Sequence, residues 1–306
     1  MSACLLAAMA TASYVAAATV SFEWATVGDT GNADDVSTGY GGVDDFFLIA
    51  TTEVTNDQYA QYLNSIAASD PNGVWNANMD ITRTGSDGSY TYAANVGYGS
   101  RALDEASFYD AMRFTNWLEN GQPTGVQDAT TTEDGTYLIS NGYSETRSAN
   151  ASYWLPSEDE WYKAAYYDPS GAVVGNYWDY ANQSDTAPTA ESPTGGANSA
   201  NYDGGHGDYT AVGAYTSSTS YYGGYDFGGN VFEWTEGLSG TDRIIRGGDY
   251  LSDATTLAAT GRTAVNPTGG SFEGGFGIRI AFIPEPSSVS LLGIGALAML
   301  LRRKRG

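Results

Sequence analysis

The chain has 306 residues, 42% of them hydrophobic, which is enough to bury a sizeable core. It carries 36 Asp and Glu against 13 Lys and Arg, a formal charge of −23, and four of the bases form the single run Arg302, Arg303, Lys304 and Arg305. So acidic a body repels phosphate backbones and anionic lipid surfaces, which excludes nucleic acid as a partner and leaves solubility outside a cell as the ordinary use of the charge.

From Ala3 to Val20 no residue is charged, and the stretch reaches Val15-Ala16-Ala17-Ala18, a small-residue pattern of the kind leader peptidases cut. Residues 1–18 are expected to be an export signal, although its usual positively charged start is missing. Cys4 is the only cysteine. Removal of the signal would leave none, and with it no disulfide, no thiolate metal site and no thiol nucleophile.

The body between residues 19 and 283 reads as one α+β domain with little regular secondary structure. Short apolar bursts such as Phe46-Phe47-Leu48-Ile49 and Arg243-Ile244-Ile245 are separated by turns rich in Gly, Asn, Asp, Ser and Thr. Thr55-Asn56-Asp57-Gln58 and Ser157-Glu158-Asp159-Glu160 fit the capping box, in which a hydroxyl and a later amide or carboxylate satisfy free helix amides reciprocally. The first leads into Tyr59, Tyr62, Leu63 and Ile66 at helical spacing; the second leads into Trp161, Ala164 and Ala165, a narrow apolar face. A weaker start at Ser107 precedes Ala111, Phe114, Trp117 and Leu118. No repeat of fixed period is present, which argues against a solenoid.

The C-terminal order is Pro284-Glu285-Pro286, then the apolar run Val289 to Leu301, then the basic cluster. The run is shorter than the roughly 20 residues a comfortable bilayer span needs. Residues 284–306 resemble the PEP-CTERM sorting signal of Gram-negative bacteria that make exopolysaccharide. The resemblance implies processing by an exosortase, transient association with the inner membrane, and a body exported to the periplasm, cell surface or extracellular matrix. An ordinary tail anchor is the alternative, and it exports the body equally.

Five motifs occur in order: Glu53-Val54-Thr55-Asn56-Asp57-Gln58-Tyr59, Trp154-Leu155-Pro156-Ser157-Glu158-Asp159-Glu160-Trp161, Gly229-Asn230-Val231-Phe232-Glu233-Trp234, Arg246-Gly247-Gly248 and Gly277-Ile278-Arg279. Together they resemble the formylglycine-generating enzyme, or sulfatase-modifying factor, family, whose fold is a variant of the C-type-lectin fold. In the aerobic enzymes two cysteines after Arg-Gly-Gly hold copper. Those positions are Ser252 and Leu257 here, and neither replaces a thiolate toward Cu(I). The family's serine after Arg-Gly-Gly is Asp249, and the first tryptophan of Trp-Glu-Trp is Phe232. Copper and formylglycine generation are therefore not expected. The iron-dependent sulfoxide synthases of the same fold need several histidines, and this chain has only His206, in a glycine-rich stretch.

Calcium is the cofactor the resemblance implies. One family site maps onto Asp226, the carbonyls of Gly229 and Val231, and Glu233; a second maps onto Asn201, the carbonyl of Tyr202, and Asp208 or Asp203. Oxygen ligands on a tight glycine turn suit Ca²⁺, while Asx turns without metal are the plainer reading. Arg246 and Arg279 are expected to anchor irregular backbone rather than bind anions. Tyr215, Tyr221, Tyr222 and Tyr225 are either core aromatics or a sugar-stacking platform. The expected function is an exported non-catalytic binding or structural module with a polysaccharide or protein ligand. The alternatives are an oxidoreductase in which Asp249, Ser252 or Tyr250 take over the chemistry, and a sulfatase maturation factor acting without thiols.

Overall fold

The structure, a computed structural model, describes residues 19–268 and 275–284. The expected export signal with Cys4, and the sorting segment from Glu285 onward, lie outside the described residues. Strand β1 (Trp24–Val27) pairs antiparallel with β2 (Phe47–Ala50), which falls on the first apolar burst. Helix α1 (Asn56–Ile66) starts at Thr55, whose hydroxyl accepts from Gln58 N while the Gln58 side chain accepts from Thr55 N. Its Tyr59, Tyr62, Leu63 and Ile66 are all buried, as their spacing predicts.

After the hairpin β3 (Ile81–Thr84) and β4 (Thr91–Ala94), helix α2 (Phe108–Glu119) begins at Ser107 with a full reciprocal cap. The partner is Asp110, which is shorter than the usual Glu or Gln yet accepts from Ser107 N at 2.9 Å. This start is as well formed as the other two, although the sequence ranks it below them. Strand β5 (Tyr153–Trp154) leads to α3 (Glu158–Tyr166), capped by Ser157 and Glu160. The buried face of α3 is wider than the narrow apolar face expected from Trp161, Ala164 and Ala165: Trp161 through Tyr166 are all buried. Its acids permit this because they are paired, Glu158 with Arg246 and Arg262, and Glu160 with Arg147.

The rest of the body is short strands and turns: β6 (Thr189–Ala190), β7 (Ser199–Ala200), β8 (Phe232–Ser239), β9 (Asp242–Arg246), α4 (Ala254–Leu257), β10 (Thr263–Val265), β11 (Phe276–Gly277) and β12 (Ala281–Phe282). Two four-stranded sheets have the orders β1-β2-β12-β5 and β10-β9-β8-β11. β11 runs parallel to β8 and sets Gly277 opposite Glu233. Of the hydrophobic clusters among the described residues, the two larger ones gather α1, α2, Trp234, Phe276, Ile278 and Ile280, and α3, Phe47, Phe227 and Ala281. The segment from Ile278 to Ala281 runs between the two cores, and Arg279 lies within it.

Candidate functional site

The turn from Phe227 to Val231 organises the centre of the molecule. Asp226 and Asn230 both take left-handed backbone, at φ 58° and 64°, and Gly229 lies between them at φ 92°. A Cβ on Gly229 would stand 2.3 Å from the carbonyl oxygen of Asn201, so only glycine lets these two segments meet. Asn201 O then accepts from Asn230 N at 2.9 Å, and Gly247 O accepts from Gly229 N at 2.9 Å. The Asn230 side chain is a hub. Its Oδ1 accepts from Thr210 N, Thr210 Oγ1 and Asn201 Nδ2, while its Nδ2 donates to Glu53 Oε1 at 2.9 Å.

Below this turn lies a buried charge cluster. Glu233 accepts from Trp161 Nε1 at 2.7 Å and from Arg279 Nε and Nη2 at 2.8 and 2.6 Å. Arg279 also donates to the carbonyls of Ala50 and Tyr225, and its guanidinium lies 4.1 Å from the centre of the Phe227 ring. Glu53 Oε2 has no hydrogen-bond partner and lies 3.9 Å from Arg279 Nη2. Asp226 Oδ2 accepts from Gly213 N at 2.6 Å. Burial, reinforced by the charge of Asp226, holds the Glu53 carboxyl well above its usual range. Burial also pushes Asp226 up to about 6, against the opposing pull of the Gly213 amide and Arg279. Burial alone would lower Arg279; the Glu233 carboxylate outweighs it and holds the guanidinium charged.

The residues expected to hold calcium are only partly brought together. Asp226 and Glu233 share this cluster with Glu53, so three carboxylates face one guanidinium and one carboxylate oxygen is left without a partner. Among the described residues no three His, Cys, Asp or Glu side chains form a metal-holding group, so an ion here would depend on the carbonyls of Gly229 and Val231 as well. At the second expected site Asn201 Oδ1 is buried without a partner. The Asp208 carboxylate faces away toward Arg101 and Tyr98, and its backbone carbonyl is what meets Asn201, accepting from Nδ2 at 2.9 Å. These partners outweigh burial and hold Asp208 below its usual range. The Tyr202 carbonyl accepts from Gly205 N, and Asp203 lies on the exposed turn between them.

The positions of the copper ligands are occupied by packing and by a local clasp. Ser252 Oγ donates to Asp249 Oδ1 at 2.5 Å, which also accepts from Ser252 N and Leu251 N. Asp249 N donates back to Ser252 Oγ at 3.0 Å. Leu257 is buried beside Ala200 and Tyr202, and a Cβ on Gly248 would meet its Cδ1 at 2.7 Å. Phe232 is buried in the main core opposite Phe276. His206 is exposed, with Nδ1 3.1 Å from Ser192 Oγ. Arg246 donates to Glu158 and to the carbonyls of Ala259 and Gly261, binding loop to helix. Of the four tyrosines, Tyr215 is buried and donates to Glu191 O, whereas Tyr221 is 41% exposed, so they share no single platform.

A cleft of about 1010 Å³ opens at the start of α2, lined by Asn76, Asn78, Glu105, Tyr109, Arg113 and Phe276 among others. Sequence reasoning missed it because the lining comes from segments far apart in the chain: Asn72 to Asn78, Glu105 with the first turns of α2, Ile139 and Gly142, and Thr268 with Phe276. Its one local sign is Glu105, held at φ 58° with its carbonyl accepting from Asn76 Nδ2 at 3.0 Å.

Residues 35–282 match the family model described as the sulfatase-modifying factor enzyme 1-like domain. The chain belongs to that family. Residues 282–305 match the PEP-CTERM protein-sorting motif, which marks an exported protein of Gram-negative bacteria and implies an exosortase-type sorting system. The fold is similar to that of CarF, at 19% identity with a TM-score of 0.54, covering 87% of this chain and 99% of CarF. Variable protein 1 of Treponema denticola, at 20% identity, covers 88% of this chain and 97% of its own with a TM-score of 0.49. PvdO of Pseudomonas aeruginosa, at 17% identity, covers 86% and 91% with a TM-score of 0.48. A search of curated proteins finds no match. Among the described residues no helix is long and apolar enough to cross a membrane. Within the sulfatase-modifying factor family, this chain has a hydroxyl clasp and a core leucine at the two thiolate positions.

Proposed function

We propose that this protein is an exported, non-catalytic binding module, displayed at the cell surface or in extracellular matrix after its C-terminal segment has held it transiently at the inner membrane. The observation that carries this reading is the Asp249–Ser252 clasp beside the buried Leu257. Redox chemistry on a substrate thiol needs a soft ligand set or an open position for one, and these residues supply a hydrogen-bonded turn and an aliphatic contact. The ligand place is the cleft at the start of α2, where amides, a carboxylate, a guanidinium and Tyr109 converge; that mixture suits the hydroxyls and faces of a polysaccharide. Calcium would be held by Asp226, Glu233 and the carbonyls of Gly229 and Val231, where it would brace the turn that carries Asn230.

The test has two arms. Purified protein is assayed for Cu(I) binding and for oxygen consumption with cysteine peptides, and either activity would return the oxidoreductase reading to first place. The same protein is screened on a glycan array against an Asn78→Trp variant, which sets a large side chain at the exposed rim of the cleft. Saturable binding lost in the variant supports the reading; absence of any saturable glycan or matrix ligand removes it.

A further inference from the structure

Both ends of the described body leave from one edge. Val20 N donates to Gln122 Oε1 at 2.7 Å and Val20 O accepts from Gln122 Nε2 at 2.8 Å, which fixes the N-terminal end beside the C-terminus of α2. The C-terminal end leaves from β12, where Ile283 N donates to Ser152 O. One cleft of about 420 Å³ is lined by Thr19 and Gln122 from the first exit and by Ser152, Tyr153 and Phe282 from the second. The sequences beyond both exits are apolar, residues 3 to 18 on one side and 289 to 301 on the other.

The edge is aromatic. Phe22, Trp24, Tyr153 and Phe282 are each partly exposed and form a continuous group, with ring centres 5.3 Å apart for Phe22–Trp24, 5.1 Å for Trp24–Phe282 and 4.6 Å for Tyr153–Phe282. In a chain of charge −23, the cleft between the exits has one acid in its lining, Glu119. That carboxylate already accepts from Ser152 N and Tyr153 N, each at 2.9 Å. Partly exposed Trp and Tyr beside an apolar anchor have the composition of a membrane-interface belt, with Glu23, exposed between Phe22 and Trp24, as the acid that must stay in the headgroup layer.

Tether length then decides which face meets the lipid. Six residues, Ile283 to Ser288, separate the last strand from the apolar run. Fully extended they reach roughly 20 Å. A domain of this size is about 40 Å or more across, so its far side cannot swing round to the bilayer on such a tether. We propose that the edge formed by Phe22, Trp24, Tyr153 and Phe282 is a lipid-facing surface, seated in the interface of the inner membrane while the C-terminal segment is inserted. The inference rests on the reading of residues 289–301 as a membrane-inserting run. It also orients the molecule before processing, with the strand that leads to Pro284 lying at the membrane surface.

The full-length chain reconstituted into phosphatidylcholine vesicles tests this, using acyl chains brominated just below the headgroup as the quencher. Tryptophan emission is expected to be quenched, with most of the quenchable fraction lost in Trp24→Phe and retained in Trp75→Phe. A twelve-residue Gly-Ser insertion after Pro284 should reduce the quenching at least twofold, because the tether no longer confines the edge. Chain that floats with the vesicles yet shows equal quenching in Trp24→Phe and wild type, or none in either, overturns the proposal while leaving the anchor reading intact. Chain that fails to float overturns the anchor reading and this surface with it.

Discussion

Arg279 donates to both carboxylate oxygens of Glu233, at 2.8 and 2.6 Å, and neither side chain is open to solvent. The pair joins the Gly-Ile-Arg motif to the Gly-Asn-Val-Phe-Glu-Trp motif between the two hydrophobic cores. Removing one partner leaves the other as an uncompensated buried charge, at a cost of about 3–5 kcal/mol. Arg279→Met alone and Glu233→Gln alone are therefore expected to lower the urea midpoint sharply. The double variant should cost less than the sum of the two, because it removes both charges of this pair together and leaves only Glu53 and Asp226, whose raised values let them take up protons. Additive single effects would mean that the two side chains act independently.

Stability should rise, not fall, as pH drops from about 7.5 toward 5. Asp104 and Glu236 are each pushed up to about 7, and Asp226 and Asp110 to about 6, with burial the largest cause in all four. A carboxyl whose folded value lies above its unfolded value near 4 binds its proton more tightly when folded. Its favourable contribution is complete below the unfolded value and disappears as pH rises through the folded one. Asp208, held low by Arg101 and Tyr98, acts in the opposite sense, but only below the ordinary aspartate range. Asp104→Asn should flatten the slope between pH 5.5 and 7.5 in urea titrations and stabilise the protein at pH 8. A midpoint that climbs with pH across that window contradicts the assignment.

Much of this architecture is written locally, and the exceptions are informative. The three helix starts need only four consecutive residues each, so Thr55 and Ser157 could be read directly and Ser107 nearly so. The strands β11 and β12 are two residues long, and their pairing with β8 and β2 depends on segments that no local pattern identifies. The same holds for the charge cluster, because Glu53 meets Asn230 across 177 positions of sequence. Family motifs identified Asp226 and Glu233 but gave no sign that Glu53 belongs with them. The burial of α3 was hidden for a related reason: Glu158 and Glu160 look like a solvated face until Arg246, Arg262 and Arg147 arrive from elsewhere.

Leu257 and Gly248 form a steric pair at the position where a thiolate would stand in the aerobic enzymes. Gly248 has φ 77°, and a Cβ there would lie 2.7 Å from Leu257 Cδ1. Gly248→Ala should therefore destabilise through both backbone strain and the clash. Leu257→Ala should cost about 2–5 kcal/mol through lost burial and the cavity it leaves. Combining them should recover the clash component, so the thermal midpoint of the double variant is expected above the value that simple addition gives. If the two penalties add fully, the side chains do not share the space described.

Calcium linkage gives the cluster around Asp226 a separate test. A cation bound by Asp226 and Glu233 would offset the carboxylate excess and draw Asp226 back below its raised value of about 6. A ligand that binds only the folded state raises its stability by about 2.7 kcal/mol at a hundredfold excess over Kd. Added Ca²⁺ is thus expected to raise the melting temperature at pH 7.5, with a smaller rise at pH 5, where protons compete for Asp226 and Glu53. Asp226→Asn should weaken the Ca²⁺ response while keeping an oxygen that can accept from Gly213 N. Differential scanning calorimetry with Ca²⁺ or with excess chelator distinguishes the cases. A melting temperature indifferent to both, in wild type and variant alike, would leave Arg279 as the sole cation serving Glu53, Asp226 and Glu233.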